Sequence, residues 1–221
     1  MYTASQNPAA PPSGGNGIKW GYQIKADQPR LRCLKLLLDR SQGMPSFVSK
    51  SDILRQLRES GKTPVEAVSD YLKALRKQAM EALIKRYGDS MVQSTKVEWV
   101  LTVPAVWSDA AKDATLKAAE MAGMGRGIQL ISEPEAAAVY ALQSIESNNF
   151  AVGDNFIICD AGGGTVDLIS YEIQQLSPLR ITESVTGSGA LCGSAFLNLR
   201  FEEFVRKRMG DIAFRCVSFF A

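Results

Sequence analysis

Three consecutive glycines with an aspartate on either side constrain this chain more than any other stretch. They lie in Phe156-Ile-Ile-Cys-Asp160-Ala-Gly162-Gly163-Gly164-Thr165-Val-Asp167-Leu-Ile-Ser-Tyr-Glu-Ile173. Phe156, Ile157 and Ile158 form a short apolar run of the kind a buried strand shows. Downstream, Val166, Leu168, Ser170 and Glu172 alternate with Thr165, Asp167, Ile169 and Tyr171, so two strands meeting at a glycine hairpin are predicted, the second with distinct faces. Glycines lack a Cβ, adopt positive φ readily and let a ligand come close to the backbone. Successive amides in such a turn make a concave nest suited to phosphate oxygens. Two carboxylates beside that nest would repel an anion unless a cation intervenes, and hydrated Mg²⁺ is the natural mediator. An ordinary hairpin turn needs only Asn-Gly or Asp-Gly, so phosphate binding is preferred over a plain turn.

Composition removes several other chemistries. The 221 residues carry 25 Lys and Arg against 23 Asp and Glu, a net charge of +2. That balance argues against a nucleic-acid or membrane-surface binder, which concentrates excess positive charge. The chain is 46% hydrophobic and 22% charged, as expected of a globular protein with one or two cores. No apolar run reaches the length of a membrane span, and Met1-Tyr-Thr-Ala-Ser-Gln does not read as a signal peptide. Cysteines 33, 159, 192 and 216 lack CxxC spacing, which points to reduced thiols in a cytosolic setting. Histidine is absent, excluding Ser-His-Asp triads, Cys-His dyads and His-based zinc sites.

Along the chain, residues 1–16 are rich in Pro, Gly, Ser and Asn and are expected to be disordered or linker. A strand is predicted over Gly17–Ile24, a short helical patch over Leu31–Leu38 and a short helix from Asp52. Thr63 to Gly88 reads as the best helix: Thr63 caps it, Pro64 takes its first position, Glu66 completes a capping box and Gly88 stops it. A strand over Val97–Val103 stops at Pro104, and Ser108 caps a helix that Gly123 ends. A further strand over Gly127–Ile131 leads to a helix that opens at Ser132-Glu133-Pro134-Glu135. After the hairpin come a strand over Leu179–Val185, a loop over Thr186–Gly193 and a helix near Ala195–Met209. Strands alternating with helices make this an α/β layout.

Several of these stretches carry a family resemblance. Asp160-Ala-Gly-Gly-Gly-Thr-Val-Asp167 resembles the second phosphate motif of the Hsp70, actin and sugar-kinase ATPase superfamily, and is closest to divergent Hsp70-like proteins. Leu101-Thr-Val-Pro104-Ala105 resembles the Hsp70 strand that leads into an Asp-capped helix; the likeness implies that Pro104 couples nucleotide state to lobe movement, where local chemistry needs only a strand end. Ile131-Ser132-Glu133-Pro134-Glu135-Ala136-Ala137-Ala138 resembles the family's Asn-Glu-Pro-Thr-Ala-Ala-Ala signature, in which the residue matching Glu133 faces the Mg²⁺ water shell; Glu135 reads as a helix cap. Thr186–Phe196 resembles a lobe II loop whose Gly193 would open a helix and offer amides to phosphate, although Leu197 stands where that family has an acid. A dinucleotide fingerprint fails there on glycine spacing.

The resemblance implies an incomplete actin-like ATPase (ribonuclease H-like) fold, with parts of two lobes. Residues 17–94 would form a peripheral lobe I subdomain, 95–151 the lobe I core, and 152–221 a truncated start of lobe II. ATP and Mg²⁺ are the implied cofactors. Asp160, Asp167 and Glu133 are the implied catalytic groups, the two aspartates acting on the metal through water, and Gly162, Gly163, Gly164, Thr165 and Gly193 the implied phosphate holders. The family's first hairpin, Asp-x-Gly-Thr-Thr/Ser, and its adenosine motif are absent from this sequence, so the chain alone is expected to be weak or inactive as an ATP hydrolase, with apolar lobe surface exposed. The competing reading is a non-catalytic remnant or interaction module. A sugar kinase would need a substrate-binding lobe, and Glu-Pro-x-Ala-Ala-Ala favours Hsp70. Clients or co-chaperones would be partners of a longer parent.

Overall fold

A computed structural model describes residues 2–4, 18–25, 28, 30–39, 41, 49–144 and 150–218. The chain divides into two compact units, Met1–Leu101 with Ser108–Gln129, and Thr102–Trp107 with Leu130–Ala221.

In the first unit, β1 (Tyr2–Ala4) pairs antiparallel with β2 (Ile18–Trp20). Tyr2–Ala4 thus forms a strand inside the segment expected to be disordered, whose residues 5–16 lie outside the described ones. The strand predicted to reach Ile24 ends at Trp20, because Gly21 takes a φ of 56° and opens a single 3-10 turn over Gly21–Gln23. The patch expected at Leu31–Leu38 contains one 3-10 turn, Leu34–Leu37. Helices α1 (Lys50–Glu59) and α2 (Pro64–Tyr87) match their sequence signals. Around α2, the Thr63 hydroxyl accepts from the Glu66 N–H while the Glu66 carboxylate accepts from the Thr63 N–H. A short α3 (Asp89–Ser94), not anticipated, follows Gly88. Leu31, Leu37, Ile53, Leu57 and Ala67 form the core here. Helix α4 (Asp109–Met121) packs along α2, with Ala111, Ala118 and Ala119 fully buried, and Gly123 ends it at a φ of 79°.

The start of α4 is held from far away in sequence. Ser108 Oγ accepts from the Ala111 N–H and donates to Asp39 Oδ1 at 2.9 Å, and Asp39 also accepts from the Ser41 hydroxyl and amide. Burial of Asp39 pushes its carboxyl up, but the hydrogen bonds from Ser41 and Ser108 outweigh it and hold the pKa below the usual carboxylate value.

In the second unit, β3 (Val100–Val103) and β4 (Gln129–Ser132) form a two-stranded sheet, and the chain passes between the units within each of these strands and after Trp107. The predicted strand Val97–Val103 is therefore shortened at its start. Helix α5 (Glu133–Ser144) leads to an antiparallel sheet of β5 (Asn155–Ala161), β6 (Val166–Leu176) and β7 (Leu179–Ala190), in that order. Ala138 of α5 packs on Ile169 and Tyr171, with Ala105, Phe156, Ile158 and Ile181 around them. One face of β6 (Asp167, Ile169, Tyr171, Ile173) is buried, as its alternation predicts. The other face, with Ile157, Leu168 and Val185, is exposed. The loop expected over Thr186–Gly193 is strand as far as Ala190, so β7 runs on beside β6. Helices α6 (Ser194–Met209) and α7 (Asp211–Ser218) follow, and α6 leaves Leu197, Phe201 and Phe204 exposed.

Replacing Asp39 with alanine at neutral pH is expected to lower stability by about 1–3 kcal/mol, the cost of losing the charge-assisted hydrogen bonds that its buried carboxylate accepts from Ser41 and Ser108, read as a lower urea midpoint. Because the folded-state pKa is depressed, this contribution is present above about pH 4 and lost below it. The gap between parent and variant should therefore close on acidification.

Candidate functional site: a glycine hairpin seated on a helix N-terminus

Asp160 and Asp167 are direct partners across β5 and β6, one pair removed from the turn, after Ile158 and Ile169 and ahead of Ala161 and Val166. Directly opposed residues of an antiparallel pair share a face, so both carboxylates lie on the covered side of the sheet. Asp167 is 1% exposed, Asp160 is half-buried, and Thr165 is buried. Like charges facing each other across a ladder destabilise it. A polyvalent cation nearby would turn that cost into an attraction, so the donor set fits Mg²⁺ held through water. Among the described residues, no three of His, Cys, Asp and Glu converge as a set that could hold a metal directly.

Between the aspartates the turn is closed by one hydrogen bond, from the Gly162 N–H to the Thr165 carbonyl at 3.0 Å. Its other three carbonyls take the start of α6. Gly162 accepts from the Ser194 N–H at 3.0 Å, Gly163 from Ala195 at 2.9 Å and Gly164 from Gly193 at 3.3 Å. Helix starts leave amides without intrahelical partners; α6 has no capping side chain, and the glycine turn satisfies them instead. In a trans peptide the C=O and the N–H of one unit point opposite ways, and the only cis bond described is Ser177–Pro178. The N–H groups of Gly163, Gly164 and Thr165 therefore aim away from α6. The positive end of the helix dipole sits on the carbonyl side of the same peptide units, which favours an anion on the amide side.

Close approach explains the glycines. A Cβ on Gly193 would lie 2.6 Å from the Gly162 carbonyl oxygen and 2.7 Å from that of Gly163. On Gly189, the cross-strand partner of Asp167, it would lie 2.6 Å from Asp167 Oδ1 and 3.1 Å from Val106 Cγ1. On Gly187 it would strike Ile169 at 2.6 Å. Sequence reading gave Gly187 and Gly189 no role. Their spacing of two was the available signal, since it places both on one face of a strand.

The remaining site residues are placed as follows. Gly193, read from sequence as a phosphate donor, spends its N–H on the Gly164 carbonyl, and Gly162 spends its own within the turn. Glu133 is the first residue of α5, the helix whose Ala138 lies on β6. Just before it, the Ser132 hydroxyl accepts from the Glu135 N–H at 3.2 Å, the cap read from sequence, and Pro134 is fully buried. Pro104 is buried too, and its neighbours Ala105 and Val106 reach the Ile169–Tyr171 cluster and Gly189.

This hairpin on a mixed sheet and helix framework makes the chain part of an α/β protein with the actin-like ATPase (ribonuclease H-like) fold. The family profile described as Hsp70 protein matches residues 49–193, and the chain belongs to that family. It is 33% identical over 180 residues to the "Chaperone protein HscA homolog" of Bordetella petrii, covering 78% of this chain and 25% of that protein. The protein of the same name from Laribacter hongkongensis is 34% identical over 173 residues, 75% of this chain and 24% of the relative. One from Acinetobacter baumannii is 34% identical over 140 residues, 63% and 19% respectively. The chain thus spans about a quarter or less of the length of these curated relatives.

Two substitutions test this geometry without any ligand. Gly193→Ala drives a methyl into backbone oxygens that cannot rotate away, and is expected to cost about 1–3 kcal/mol in unfolding experiments. Asp160→Asn relieves the facing charges, so the ligand-free chain should gain about 0.2–1 kcal/mol; a loss would contradict the repulsive pair.

Proposed function

We propose that this chain carries the part of an Hsp70-like ATPase domain that grips the phosphates of Mg-ATP. The observation that carries the reading is the facing pair Asp160 and Asp167, set beside a turn whose Gly163, Gly164 and Thr165 amides point away from the helix that holds its carbonyls. In this reading those three amides hold β- and γ-phosphate oxygens, while Gly162 and Gly193 shape the turn. Asp160 and Asp167 would hold Mg²⁺ through water, with Glu133 helping to order that water. When bound, Mg²⁺ supplies the positive charge that lets two carboxylates and a polyphosphate share one site. The protein's share of the chemistry is positioning and electrostatic preorganisation around an in-line water.

Hydrolysis by this chain alone is proposed to be weak or absent, because the family's other phosphate hairpin is not in its sequence. Residues 17–151 would belong to lobe I and 152–221 to lobe II. The setting is proposed to be cytoplasmic, with clients or co-chaperones as partners of a longer protein rather than nucleic acid or membrane. Among the described residues, no helix is long and apolar enough to cross a membrane.

Isothermal titration with ATP tests the reading. Binding is expected with Mg²⁺ and lost on chelation, and Asp160→Asn or Asp167→Asn should weaken Mg-ATP about 10-fold or more, as expected for charge-assisted contacts. In a longer protein that turns ATP over, either variant should reduce turnover far more than affinity. No binding under any condition would leave the non-catalytic interaction module as the function.

A further inference from the structure

Strand β7 does not run in step with β6. Past the pairs Ile173–Ile181 and Tyr171–Glu183 the register shifts twice, and it recovers at Leu168–Ser188 and Asp167–Gly189. Between these regular stretches, Ile169 and Ser170 of β6 stand against Ser184, Val185, Thr186 and Gly187 of β7, so two bulges each add one residue to β7. Successive residues of a strand face opposite ways, and a single extra residue would invert the rest of β7, whereas two restore its facing. Gly187 accordingly lies against Ile169, and Gly189 against Asp167. With one bulge fewer, Ser188 would stand opposite the aspartate. A Cβ at that position comes 2.6 Å from Asp167 Oδ1, closer than a side chain tolerates. The bulged register therefore decides whether Asp167 has room.

One side chain spans the irregular stretch. Glu183 Oε1 accepts from the Gly187 N–H at 2.9 Å, joining the last regular pair on one side to the final bulged residue on the other. Bulged residues fall out of the ladder, and Ser184, Thr186 and Gly187 have no Cα partner on β6. The carboxylate takes a backbone donor from this stretch and ties its two ends together. We propose that Glu183 is a positioning residue for Asp167: it holds the bulged form of β7 and so keeps Gly189, rather than Ser188, opposite that aspartate. The functional side of this proposal rests on the role given to Asp167 above. Glu183 acts through the backbone of its own strand, so the place requires an acceptor oxygen, charged or neutral.

Glu183→Ala in the full chain removes the acceptor, and Glu183→Gln keeps one. In hydrogen exchange followed by NMR, the Gly187 amide is expected to open about 3- to 10-fold faster in the alanine variant, the loss of one hydrogen bond, and to stay near the parent in the glutamine variant. Cross-strand NOEs between Gly189 and Asp167 should weaken with alanine and persist with glutamine. Unchanged exchange at Gly187 in Glu183→Ala, or equal acceleration in both variants, would overturn the anchor. ATP affinity is then followed against Mg²⁺ concentration in the parent, both Glu183 variants, Asp167→Asn and the Glu183→Ala, Asp167→Asn double variant. Glu183→Ala should raise the Mg²⁺ needed for half-maximal binding by about 3- to 10-fold, Glu183→Gln should restore it, and alanine should add nothing once Asp167 is changed. Additive effects would overturn action through Asp167. If the parent chain binds no Mg-ATP, the phosphate reading fails, and the exchange and NOE measurements still decide the anchor.

Discussion

The second unit depends on one exchange of backbone hydrogen bonds: the amides that open α6 are donated to the carbonyls of the glycine turn. Neither partner is complete alone. A helix start without a capping side chain leaves donors to satisfy, and a triple-glycine loop gives up much conformational entropy to take one shape. Joining them solves both problems, but only if no side chain intervenes, and Gly193 meets that condition with no room to spare. The same exchange orients the turn, sending the Gly163, Gly164 and Thr165 N–H groups to the opposite side.

That orientation gives the acidic pair its meaning. Two aspartates stand opposite each other on the covered face of the hairpin, a place where like residues of one charge sign are disfavoured unless a partner is supplied. Gly189, the cross-strand neighbour of Asp167, lets β7 and Val106 come up to the carboxylate. The acidic pair stands beside a row of amides that point away from α6. Such a combination supports the proposed site, which would meet a cation and an anion together.

Much of this was legible in the sequence wherever the deciding chemistry is local. Thr63, Pro64, Glu66 and Gly88 bound α2, Ser108 and Gly123 bound α4, and the alternation after Thr165 gives the two faces of β6. The features that escaped are set by partners distant in the chain. Thr186–Ala190 reads as loop because of its glycines, yet those glycines serve close packing against Ile169 and Asp167, and the segment is strand. The Asp39–Ser108 bond spans 69 residues and has no local signature. For the site, the aspartates and glycines could be read directly, whereas the commitment of the Gly162 and Gly193 amides to other carbonyls could not. The apolar residues left exposed on α6 and on the open face of the sheet, Leu197, Phe201, Ile157 and Val185 among them, likewise depend on what lies beside them rather than on their own pattern.

Backbone amide NMR during titration with Mg-ATP addresses the central claim most directly, because it asks which N–H groups meet the phosphates. Large shifts at Gly163, Gly164 and Thr165, with Gly162, Gly193 and Ser194 nearly unmoved, are the expected result. Shifts confined to Gly193 and the first turn of α6, or no response in the hairpin at saturating ligand, would contradict it.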